Sequence, residues 1–160
     1  MLEIHQRLGS ETHNDIDDVV CLTHEQRERG RLLLTGQTGD EIRVFLERGK
    51  PLQVGEYLRS DCGKTVLVQG AVEPVVTATA PDWETFAKAC YHLGNRHVKV
   101  QIGPLWLRIQ PDHVLEDLLL LLGLDLKAGQ AVFVPESGAY AGLASAHHHS
   151  HGESHSHAHA

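Results

Sequence analysis

Between residues 75 and 134 the apolar period switches from two to 3.6 and back, twice over, and no other stretch of the chain restricts its fold as tightly. Residues 75–79 (VVTAT) are β-branched and strand-like. Pro81-Asp82 then opens a helix, with Trp83, Phe86, Ala87 and Cys90 at i, i+3, i+4 and i+7 forming one apolar face. Gly94-Asn95 reads as its stop, because both residue types tolerate the left-handed conformation at a helix end. Residues 98–102 alternate, Gly103-Pro104 turns the chain, and residues 105–109 alternate again as the second arm of a hairpin. Pro111-Asp112 starts a second helix with the stripe Val114, Leu115, Leu118 and Leu122, ended by Gly123, and residues 130–134 (QAVFV) supply a last strand. The order β-α-β-β-α-β predicts a ferredoxin-like unit, two helices covering one face of a four-stranded antiparallel sheet.

The chain before residue 73 reads differently. Residues 31–35 (RLLLT) precede Gly36 and Gly39, after which Ile42, Val44 and Leu46 alternate with polar partners. Gly49 and Lys50-Pro51 turn the chain, Leu52 and Val54 continue the alternation, and residues 61–64 turn it again into residues 65–69 (TVLVQ). Turn signals at this spacing predict a small all-β unit, with the charged residues 24–29 as solvated loop or strand edge. Past residue 137 only Gly, Ala, Ser and His recur without period, as expected of a disordered tail. The expected class is therefore α+β, divided into an N-terminal β domain (1–73), a ferredoxin-like domain (74–137) and a His-rich tail (138–160).

Charge and cysteine usage narrow the function. Fourteen basic against 21 acidic residues, a net charge of −7, argue against a nucleic-acid backbone as partner. The longest apolar run, residues 118–122, is too short to cross a bilayer, so no membrane partner is expected. The first ten residues lack the apolar core of a secretory leader, and Cys21, Cys62 and Cys90 form no CxxC pair. Both features suit a reducing cytoplasm.

Histidine is the outlier: seven of the 13 are His147, His148, His149, His151, His155, His157 and His159. Neutral imidazole binds Ni(II), Cu(II) and Zn(II), and a flexible array can turn several rings toward one ion. A second cluster is YHLGNRH at residues 91–97, where a helix ends beside His92 and His97. One histidine offers too few donors for a tight site, but across a two-fold axis it appears twice, and locally His97 reads as either surface residue or ligand. His5, His13 and His24 read as ordinary surface or strand histidines. A metal-dependent enzyme would need a placed acid or base; Asp112 and Glu116 are available carboxylates, but HExxH, nucleophile-elbow and P-loop patterns are absent from the sequence. A passive divalent-metal buffer, in which only the tail matters, stays open.

YHLGNRH, the short hairpin and then QPDHVLEDLLLLLGL together resemble the UreE family, the nickel metallochaperones among urease accessory proteins. RERGRLLLT, EIRVFLERGKPLQVGEYL and DCGKTVLV fall in the family's order, so the resemblance covers residues 1–137, and a His-rich tail is a variable family feature. It implies an N-terminal domain for partner or peptide contact and a ferredoxin-like domain through which subunits form a homodimer. It also implies that His97 meets its symmetry mate to hold a shared Ni(II); whether dimers pair further around the metal stays open. The family is a carrier, not a hydrolase: Ni(II) is cargo, with Cu(II) or Zn(II) as competitors. Its partners are the UreG GTPase and the urease apoprotein with its accessory subunits. His92 matches a family position near the metal. His113, beside Asp112, matches a downstream histidine that adds metal binding in some members; those carry extra histidines just before it, where this chain has Gln110 and Pro111.

Overall fold

A computed structural model describes residues 1–13 and 15–138, so the tail and its seven histidines lie outside the described residues. Six strands and one short helix come first: β1 (Leu2–Gly9), β2 (Asp18–Leu22), α1 (His24–Glu28), β3 (Arg31–Thr35), β4 (Glu41–Phe45), β5 (Tyr57–Ser60) and β6 (Thr65–Gly70). They form one sheet of order β2-β6-β5-β1-β4-β3, in which β1–β4 and β2–β6 run parallel. Ile42 and Val44 on β4 face inward with exposed neighbours between them, joining Leu2, Ile4, Val20, Leu22, Leu58, Val66 and Val68 in a single core. Twist brings the two edges together. The Gln37 amide, just past β3, donates to the Val19 carbonyl on β2 at 3.0 Å. The buried Asp18 carboxylate accepts the Thr38 amide at 3.1 Å and its hydroxyl at 2.7 Å, which curls the sheet into a barrel-like shape. Gly36 makes this closure possible, since a Cβ there would lie 1.8 Å from Asp18 Oδ2.

Several expectations for this half need correction. Strands β1 and β2 lie outside the expected set: β1 shifts register twice against β5, and β2 alternates with an aspartate, Asp18, at one of its buried positions. Leu52 and Val54 belong to no strand: Leu52 is buried from a loop, whose Gln53 amide donates to Glu56 Oε2 at 2.9 Å. Residues 24–29 are not solvated loop. Thr23 caps α1, its hydroxyl accepting the Gln26 amide at 3.2 Å while Gln26 Oε1 accepts the Thr23 amide at 2.9 Å. That reciprocal pair makes a short helix worthwhile, and the T-x-x-Q spacing signals it.

The remainder is β7 (Val72–Thr79), α2 (Trp83–Asn95), β8 (Gln101–Gly103), β9 (Trp106–Ile109), α3 (His113–Leu121) and β10 (Asp125–Val132). The sheet order β10-β7-β9-β8, antiparallel throughout, is the ferredoxin-like one. β10 begins earlier than its apolar run suggests, pairing Asp125 with Thr79 and Val132 with Val72. Both helix faces are also rotated from the expected ones. On α2 the inward residues are Phe86, Ala89, Cys90 and Leu93, while Trp83, 62% exposed, and Ala87 face outward. On α3 Leu119 is the buried centre with Leu115 and Leu122 beside it, and Val114 is 64% exposed. Each helix carries more apolar residues than one face can hold, so periodicity alone admits two neighbouring stripes.

Candidate metal centre

Helix α2 ends in a Schellman motif. The Val98 amide donates back to the Leu93 carbonyl at 3.3 Å and the His97 amide to the Gly94 carbonyl at 3.1 Å, while Val98 packs on the core that includes Leu93. This motif requires a left-handed residue just past the cap, and His97 supplies it with φ 55°. The expected stop at Gly94-Asn95 is thus displaced: both residues are helical, and the left-handed position falls two residues later. Helix α3 closes the same way, with Gly123 amide to Leu120 at 3.0 Å and Leu124 amide to Leu119 at 3.1 Å, but there the left-handed residue is Gly123 at φ 96°. A Cβ in this conformation costs about 1–2 kcal/mol. Among the described residues only His97 and Leu105 accept positive φ without being glycine.

The His97 ring is exposed on this rigid cap. His92, in the last turn of α2, is half-buried with its ring edge-on to Tyr91 at 5.4 Å, and its carbonyl accepts from Arg96 at 3.0 Å. Asp112 is the N-cap of α3, its Oδ1 accepting the Val114 and Leu115 amides at 3.0 and 3.1 Å, so that oxygen serves the helix. His113 follows it, exposed, as the first helical residue. Strand directions point these four toward one end of the sheet: α2 runs back toward the start of β7, and β9, antiparallel to β7, ends opposite Val76 and heads the same way before α3. Beyond β10, Glu136 donates to the Val100 carbonyl at 2.8 Å, bringing the end of the described chain close to the residues after His97.

Shared location is not a finished site. No group of three or more His, Cys, Asp or Glu stands at metal-holding distance among the described residues. His97 and His113 are both exposed at this end of the sheet, and the His97 backbone is fixed by the two cap hydrogen bonds. A stripe of exposed apolar residues, Trp83, Ala87 and Tyr91, runs up the same helix. His24 differs most from its expected character. It is 7% exposed and lies on α1 against Phe133, not at the surface.

Comparison with known proteins adds family information. Residues 4–71 match the model of the UreE urease accessory protein N-terminal domain, and residues 73–159 that of its C-terminal domain. The chain is 64% identical over 141 residues to a urease accessory protein UreE of Marinomonas sp. (strain MWYL1), covering 88% of this chain and 96% of the relative. Its counterpart in Alteromonas mediterranea is 53% identical over 140 residues, covering 88% and 90%. That of Psychromonas ingrahamii is 46% identical over 147 residues, covering 92% and 96%.

Proposed function

The chain belongs to the UreE family of urease accessory proteins, and from that premise we propose that it is a cytoplasmic nickel metallochaperone, not an enzyme. Ni(II) is its cargo, held by the paired His97 residues of a homodimer and by the tail histidines. The observation that carries this reading is the histidine at the left-handed end of α2, where the equivalent position of α3 holds glycine. A fold that accepts this strain gains an imidazole whose place is set by two backbone hydrogen bonds.

The division of labour follows. Residues 1–73 contact partners, 74–137 bind metal and dimerise, and 138–160 gather ions. The outward stripe of Trp83, Ala87 and Tyr91 suits a subunit contact alongside His97. Tail histidines raise the local nickel concentration, the His97 pair holds one ion, and docking with UreG and the urease apoprotein complex exchanges it. His92, Asp112 and His113, at the same end of the sheet, are secondary donors. Cu(II) and Zn(II) compete at such imidazoles, and because only the neutral ring ligates a metal, acid weakens binding.

The test is a chain ending at Ala144, titrated with nickel while metal content and complex mass are followed together. One tight nickel per dimer, lost in His97→Ala, is the expected result. Absence of tight binding in the shortened chain would confine the chemistry to the tail and make the protein a passive metal buffer.

A further inference from the structure

The two sheets meet across α1, through groups the metal chemistry does not use. Arg27, 3% exposed, donates through Nη1 to the Leu22 carbonyl at 2.8 Å and through Nη2 to the Phe133 carbonyl. The His24 amide donates to Glu73 Oε2 on β7 at 2.8 Å, and the His24 ring stands edge-on to Phe133 with centroids 5.3 Å apart. The ring is 9% exposed, and its buried Nε2 has no hydrogen-bond partner. Past Phe133, Val134 donates to the Gln101 side chain at 3.1 Å and Glu136 to the Val100 carbonyl at 2.8 Å. One clamp therefore holds both the contact between sheets and the segment that leads away from β10. A cleft of about 720 Å³ runs beside it, bordered by His24, Arg27, Lys99, Val134 and Glu136, and offers water a route to the ring.

We propose that His24 is a proton-operated latch: neutral, it closes α1 onto Phe133, and protonated, it swings toward the cleft and frees residues 133–136. The inference goes beyond nickel carriage and does not depend on it. An imidazolium in the closed position would be stripped of water, with the Lys99 and Arg27 cations beside it; Glu73 and Glu25 attract it less strongly. Glu28 Oε1, 3.6 Å from Nε2, is itself paired with Lys99, which weakens its pull on the ring. Burial first, then Lys99 and Arg27, accordingly hold the His24 pKa below the ordinary histidine value. The sign follows: in the open state the ring titrates near ~6.5, so closure is fully favoured above that pH and weakens below it. The loss approaches tenfold per pH unit until the closed ring also protonates.

The test is amide hydrogen exchange of the full metal-free chain between about pH 7.5 and 5.5, corrected for intrinsic rates. Protection of Val134 and Glu136 should fall about fivefold or more relative to Val44 in the barrel core, and His24→Phe, which keeps a ring but no proton, should abolish the pH dependence. Unchanged relative protection in the wild type, or an equal fall in His24→Phe, would overturn the latch. Should that variant not fold, NMR titration of the wild-type His24 ring decides. A midpoint below that of the exposed His5, shared by the Phe133 ring signals, supports the latch; a midpoint equal to that of His5 refutes it.

Discussion

His97 and Gly123 occupy the same position of the same helix-ending motif, and only one of them is the residue that backbone sterics prefer. His97→Gly should therefore be more stable than His97→Ala by about 1 kcal/mol in urea unfolding of the metal-free protein. Both variants should lose the tight nickel, which separates the ligand role from the backbone role. A His97→Ala protein as stable as His97→Gly would remove the strain argument. Asp18 is a second residue whose part is local. Burial raises its pKa, but hydrogen bonds from the Thr38 hydroxyl and amide and from the Val19 amide outweigh that, leaving it below the usual value. Its stabilising effect is thus present above the unfolded carboxylate pKa of ~3.9 and disappears as pH falls through the lower folded value. Asp18→Ala should cost about 2 kcal/mol at neutral pH by leaving the Thr38 and Val19 donors unmet, and should flatten the acid limb of stability against pH. An unchanged acid limb would place the acid-sensitive group elsewhere. The sequence made His97 visible through GNRH, yet its left-handed backbone was not legible: helix stops are read from glycine and asparagine, and here both lie inside the helix.

Among elements, α2 and α3 show how an apolar surplus is resolved. Trp83, Ala87 and Tyr91 continue as a stripe outside the core, with Tyr91 69% exposed, and α3 leaves Leu121 84% exposed. Exposed side chains contribute little to the subunit's own stability, so the double variant Trp83→Ser, Tyr91→Ser should unfold within ~0.5 kcal/mol of wild type. Its sedimentation should nevertheless shift from the proposed dimer toward monomer at micromolar concentration. Retention of the dimer would assign this stripe no part in the subunit contact. Element order was legible because the changes of period between residues 75 and 134 are local facts. Which stripe turns inward was not, since it depends on whether Val76, Ala78 and Leu107 of the sheet meet Ala89 and Leu119 or their neighbours.

At the scale of the molecule, α1 decides how the barrel-like sheet and the ferredoxin-like sheet are joined. Arg27 is buried between them and bonds a carbonyl from each, Leu22 on one side and Phe133 on the other. Arg27→Met should cost about 2–4 kcal/mol because both carbonyls lose a charged donor, and it should split thermal unfolding into two calorimetric steps. A single cooperative step would show that other contacts carry the coupling. The amino-acid sequence by itself determined the α+β class, the strand and helix order of the second half, the family and the histidine nominated for the metal. These follow from periods, turn residues and motifs, which act over a few neighbouring positions. Only the tertiary structure decided that His24 and Arg27 are buried, that α2 and α3 turn their second stripes inward, and that His92, His97, Asp112 and His113 share one end of a sheet. Each of those outcomes depends on atoms brought close from distant parts of the chain, and local pattern carries no record of that approach.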